Sequence, residues 1–158
     1  RGKYLMLGFG ERARIQPFIE DMPAALAAAD IVIGRAGASA VAEICAVGRP
    51  SLLVPYPFAG DHQKMNADSI AKEGAAIWLP SADATPERIA QELRTLMNEP
   101  ARLIAMADRA RSLGRPQAAQ AMANALLRLA GVSAPLPTAD SQLPTQPHDN
   151  RFKLTEVA

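Results

Sequence analysis

Cysteine, aromatic side chains and surplus charge are all scarce in this 158-residue chain. Cysteine occurs once, at Cys45, so no disulfide forms within the chain. Basic and acidic residues number 17 and 16, a formal net charge of +1, which excludes the one-signed surface that general nucleic-acid binding needs. No apolar run is long enough to cross a bilayer, and the opening residues do not read as a signal peptide. His, Cys, Asp and Glu are nowhere grouped as metal ligands would be, so neither a metal nor another cofactor is expected. Glycine-rich nucleotide signatures are missing too: there is no G-x-G-x-x-G and no P-loop. What remains is a hydrophobic content of 49%, enough for one real core.

Against these absences stands the stretch Ile31-Val32-Ile33-Gly34-Arg35-Ala36-Gly37-Ala38-Ser39-Ala40-Val41-Ala42-Glu43-Ile44. A β-branched run passes through small residues into a helix-forming segment, the layout of strand, tight turn and helix N-terminus in a parallel α/β sheet. The first turn of such a helix carries unpaired backbone N–H groups and the positive end of the dipole, and so suits phosphate. Gly37 has no Cβ to keep a ligand off the backbone. Glu43 lies close enough to the turn for its carboxylate to accept hydrogen bonds from the vicinal diol of a ribose. The same residues also fit a plain strand–turn–helix junction, with Ser39 capping the helix and Glu43 facing water.

Two more strands are expected nearby, Ser51-Leu52-Leu53-Val54-Pro55 and Ala75-Ala76-Ile77-Trp78-Leu79-Pro80. Between them a helix opens at Asp61-His62-Gln63-Lys64-Met65-Asn66-Ala67, with Asp61 as its N-cap and Gly74 closing it. In a parallel sheet, ligands sit outside the carboxyl ends of the strands, so the Gly37–Glu43 and Asp61–Asn66 turns share one edge. Gln63 offers donors and an acceptor on one amide, which matches adjacent sugar hydroxyls. Asn66 is placed to tie the loop together, and His62 either touches the ligand or orders the loop.

Phe18-Ile19-Glu20-Asp21-Met22, the block Ala29-Asp30 to Glu43, the Val54-Pro55 strand end and Asp61-His62-Gln63 through Asn66-Ala67 together resemble the donor-binding, C-terminal half of the peptidoglycan N-acetylglucosaminyltransferases of the GT-B fold. The similarity covers residues 13 to 131 in order. It implies an α/β fold, a Rossmann-like parallel sheet with flanking helices. It also implies an inverting transferase that moves N-acetylglucosamine from UDP-N-acetylglucosamine to lipid I, making lipid II for peptidoglycan. Residue by residue, it implies that the Ile19 backbone reads the uracil edge after a strand over Ala13 to Pro17, and that Met22 lines the nucleobase pocket. Gly37, Ala38, Ser39 and Ala40 would present N–H groups to the diphosphate, with Arg35 supporting either the loop or the phosphates. Glu43 would take the ribose hydroxyls and Gln63 those of the sugar, with His62 beside it.

Downstream, Thr85-Pro86-Glu87 opens a helix with Ile89, Leu93, Leu96 and Met97 on its apolar side. Pro100 separates it from a helix bearing Leu103, Met106, Ala110 and Leu113, ended by Gly114. Pro116 starts a last helix, where Ala119, Met122, Ala123, Leu126 and Ala130 read as core, stopped by Gly131. Cys45 reads as a small buried residue, not a nucleophile. The expected organisation is a donor domain over 1–131 and a Pro-rich, disordered tail over 132–158.

Tyr4-Leu5-Met6-Leu7 is strand-like, but no Gly-Gly-Ser turn follows it, so the domain is expected to lack its first strand and glycine-rich turn. The resemblance then implies that the acceptor half is separate, with the general base, the lipid I site and the peripheral contact with the cytoplasmic face of the bacterial inner membrane. No catalytic residue is assigned to this chain, which is expected to be inactive alone, as a fragment or as one subunit of a split enzyme. Two other functions stay open: another GT-B transferase or a UDP-N-acetylglucosamine 2-epimerase, and a non-catalytic nucleotide- or partner-binding domain.

Overall fold

A computed structural model describes residues 13–58 and 60–132. The tail and the strand-like Tyr4 to Leu7 lie outside the described residues. Helix α1 (Met22–Ala28) begins where the Asp21 side chain accepts a hydrogen bond from the Ala24 N–H at 2.9 Å. The strand expected over Ala13 to Pro17 does not form, since no described strand pairs with those residues and a strand without a ladder partner has nothing to hold it.

Three parallel strands follow in spatial order β1-β2-β3: β1 (Val32–Gly34), β2 (Ser51–Leu53) and β3 (Ala76–Trp78). Ile33 sits opposite Leu52, and Leu52 opposite Ile77. The crossovers are α2 (Ala38–Val47) and α3 (His62–Lys72). The strands expected around 31–33, 51–55 and 75–80 are present, each trimmed to the residues that find ladder partners. Gly37, not Ser39, occupies the N-cap of α2, and Ser39 lies inside the first turn. Asp61 precedes α3 as expected, but its backbone is helical and its side chain makes no capping bond.

Helices α4 (Pro86–Met97), α5 (Pro100–Leu113) and α6 (Ala118–Leu129) follow among the described residues. Thr85 caps α4 by accepting from the Arg88 N–H at 3.2 Å. Alternation along the strands divides the core. Leu53 and Ala76 meet Ile44, Cys45 and Ile70 of α2 and α3, while Ile31 and Ile77 meet Leu96, Leu103 and Met106 of α4 and α5. Where α5 ends, Gly114 passes so near α2 that a Cβ there would lie 2.6 Å from the Cys45 carbonyl oxygen. That close approach requires glycine.

The last helix departs from expectation. It starts at Ala118, past Pro116, and none of its residues is buried, Met122 and Leu126 included. Ala123 and Leu127 are only half-covered among the described residues, so periodicity alone did not make this helix core.

Candidate donor-binding site

The β1–α2 junction begins where Gly34, the last residue of β1, hands over to Arg35 and the buried Ala36. Gly37 then takes an extended backbone at the N-cap, and the Val41 N–H makes the first intrahelical bond, to the Gly37 carbonyl at 2.9 Å. The N–H groups of Ala38, Ser39 and Ala40 precede that bond and point out of the helix end. A Cβ at Gly37 would meet nothing within 4 Å, so the approach to this turn is open.

A pocket of about 520 Å³ lies along β1, between α1 and the start of α2. Of the ten residues expected to bind the donor, seven line it: Ile19, Met22, Arg35, Gly37, Ala40, Glu43 and Gln63. Ile19 and Met22 form an apolar wall with Leu26, Ile31 and Ile33. Arg49 braces that wall by donating a guanidinium hydrogen bond to the Ala27 carbonyl near the end of α1. Burial, with the nearby Arg111, holds the Arg49 guanidinium below the usual arginine range.

Three expected residues stand apart. Helical rotation turns Gly37, Ala40, Glu43 and Ile44 toward this pocket, and Ala38, Val41, Ala42 and Cys45 toward a cavity of about 400 Å³ on the opposite side of α2. Ala38 and Ser39 can therefore serve the pocket through backbone N–H groups only. His62, exposed at the start of α3, does not line the pocket.

Arg35 supports the loop. Its Nη1 donates to the Val54 carbonyl at 3.0 Å and the Pro55 carbonyl at 3.2 Å, and the guanidinium carbon stands 5.4 Å from the Tyr56 ring centroid. Gln63 is likewise tied to that loop, its Oε1 accepting from the Tyr56 N–H at 2.9 Å. Asn66 plays the tying role expected of it, with its Nδ2 donating to the Ala36 carbonyl at 3.0 Å. Sequence reading missed Tyr56 as a structural partner; the signal was its place in the loop that leads to Gln63. Cys45 is buried, and burial pushes its thiol above the ordinary range, as befits a core residue rather than a nucleophile.

A parallel βαβαβ sheet with a pocket at the first strand–helix turn is the architecture of GT-B glycosyltransferase C-terminal domains. The model of the glycosyltransferase family 28 C-terminal domain matches residues 3–122, and the chain belongs to that family. It is 51% identical over 131 residues to the UDP-N-acetylglucosamine–N-acetylmuramyl-(pentapeptide) pyrophosphoryl-undecaprenol N-acetylglucosamine transferase of Sorangium cellulosum, covering 82% of this chain and 32% of the relative. The enzyme of the same name from Mesorhizobium japonicum is 48% identical over 125 residues, 78% of this chain and 33% of the relative. Among solved structures, Acinetobacter baumannii MurG aligns with a TM-score of 0.67 and 39% identity over 73% of this chain and 33% of that one. The glycosyltransferase VinC, solved with dTDP, shares the fold at a TM-score of 0.64 and 23% identity, over 82% of this chain and 32% of its own. The chain spans about a third of the length of the curated relatives it matches.

Proposed function

We propose that this chain binds UDP-N-acetylglucosamine and supplies the donor-binding part of the transfer of N-acetylglucosamine to lipid I, an inverting step of peptidoglycan synthesis. The observation that carries this reading is the convergence of Ile19, Met22, Glu43, Gln63 and the α2 N-terminus on one pocket. Such a pocket accommodates a nucleoside diphosphate sugar in one order. The base packs beside Ile19 and Met22, the ribose diol bonds Glu43, the diphosphate meets the N–H groups of Ala38, Ser39 and Ala40, and the sugar reaches Gln63.

As the glycosidic bond breaks, negative charge grows on the departing diphosphate. Fixed N–H dipoles at the helix end stabilise that charge without reorganising. The attacking hydroxyl needs a base within hydrogen-bond reach. In this reading the base, the lipid I site and the peripheral contact with the inner membrane belong to the part of the relatives' length that the chain does not span.

Addition of UDP to the isotopically labelled chain tests the placement. Amide resonances of Ile19, Gly37 to Ala40 and Glu43 should shift, while those of α4 and α5 stay in place. Shifts centred on Val41, Cys45 and Leu113, around the opposite cavity, or no shifts at all, would overturn the reading.

A further inference from the structure

Gln63 is the residue proposed to read the sugar, yet its side chain is not free to turn. The atom 2.9 Å from the Tyr56 N–H must be the amide oxygen, because only the oxygen can accept from a donor. Gln63 Oε1 is thus engaged with the loop, which fixes the plane of the amide: one oxygen lone pair is taken, and the Nε2–H₂ group remains a donor. The loop that holds it is clamped in turn. Arg35 gives two hydrogen bonds to consecutive carbonyls, Val54 and Pro55, and lays its guanidinium against the next residue, Tyr56. Three successive residues are thereby fastened to the end of β1, and the third carries the N–H that orients Gln63.

We propose that Arg35 is a positioning residue: by clamping residues 54–56 it holds the Tyr56 N–H on Gln63 Oε1, so that the Gln63 amide meets the donor sugar in one fixed orientation. The inference rests on the donor-binding reading for the sugar's identity, but the clamp exists without any ligand. An amide held in one orientation aims its Nε2–H₂ group at acceptor atoms, the hydroxyl and carbonyl oxygens of an N-acetylated hexose. Lysine cannot replace Arg35, since its ammonium lacks the flat guanidinium face that lies against Tyr56 while Nη1 serves both carbonyls.

Two measurements separate the clamp from the ligand reading. In the ligand-free full chain, hydrogen exchange at the Tyr56 amide should be slow, and Arg35→Lys and Gln63→Ala should each speed it about tenfold or more, with Leu53 and Leu79 amides unchanged. Gln63→Glu keeps an acceptor for Tyr56 and should keep the protection. By calorimetry, Gln63→Glu and Arg35→Lys should each cut the preference for UDP-N-acetylglucosamine over UDP about tenfold, and combining Arg35→Lys with Gln63→Ala should cost no more than Gln63→Ala alone. Unchanged Tyr56 exchange in Arg35→Lys overturns the clamp, whatever the ligand does. Additive losses, or equal losses for UDP and its sugar conjugate, overturn it too, making Arg35 a direct phosphate ligand. If the clamp holds in exchange but the chain binds neither compound, the donor-binding reading is what fails.

Discussion

Apolar residues recur at helical spacing in both α2 and α6, but their fates differ. In α2, Ile44 and Cys45 are 3% and 4% exposed; in α6, Met122, Leu126 and Leu129 are 67%, 61% and 86% exposed. Helix α2 is a crossover between two paired strands, so the sheet and α5 lie within reach of its apolar side. Helix α6 follows the last strand and has no such neighbour imposed on it. Periodicity reports a face suited to burial; connectivity decides whether anything covers it.

The two faces of α2 sharpen the contrast. One turns Cys45 into the core, the other turns Glu43 into an open pocket, and the same helix thus holds both stability and the candidate site. Substitutions should divide accordingly. Leu96→Ala, in the core on the other side of the sheet, should destabilise the chain by about 3 kcal/mol in urea unfolding. Gly114→Ala should cost about 2 kcal/mol, because its methyl would press on the Cys45 carbonyl. A cost near zero would mean that α2 and α5 are less tightly joined than the fold shows.

A smaller effect comes from Cys45. Its thiol keeps its proton to a higher pH in the folded chain than in the unfolded one, owing to burial. The stability it contributes is therefore full below the ordinary thiol range and is lost as pH rises through the raised folded value. Relative to Cys45→Ala, the wild type should lose stability between neutral and strongly alkaline pH, and parallel pH profiles would place water against this side of α2. Smallest of all, Leu126→Ser should change stability by no more than about 0.5 kcal/mol, since the side chain is already in water. A loss the size of that at Leu96 would show that α6 is covered in solution and would erase the contrast.

Much of this was legible in sequence, for identifiable reasons. The β-branched run at 31–33, the Thr85-Pro86-Glu87 start and the positive-φ Gly74 after α3 are local signals, and each element stands where expected. Ser39 misled because a small polar residue in a first turn resembles a cap, whereas the extended Gly37 backbone sets the cap two residues earlier. The bonds from Arg35 to Val54 and Pro55 span 19 and 20 residues, and no local pattern announces them. The same holds for the split of α2 between two cavities, which put the Ala38 side chain behind the pocket and leave only its N–H to serve it.

The central claim is that the pocket along β1 holds a uridine nucleotide by its ribose at Glu43. Calorimetric titration of UDP into the wild-type chain and Glu43→Ala tests it most directly. Loss of hydrogen bonds to a charged acceptor should weaken binding by about 1.5–3 kcal/mol, with urea unfolding unchanged because Glu43 is exposed. Equal affinities for the two proteins would contradict the account.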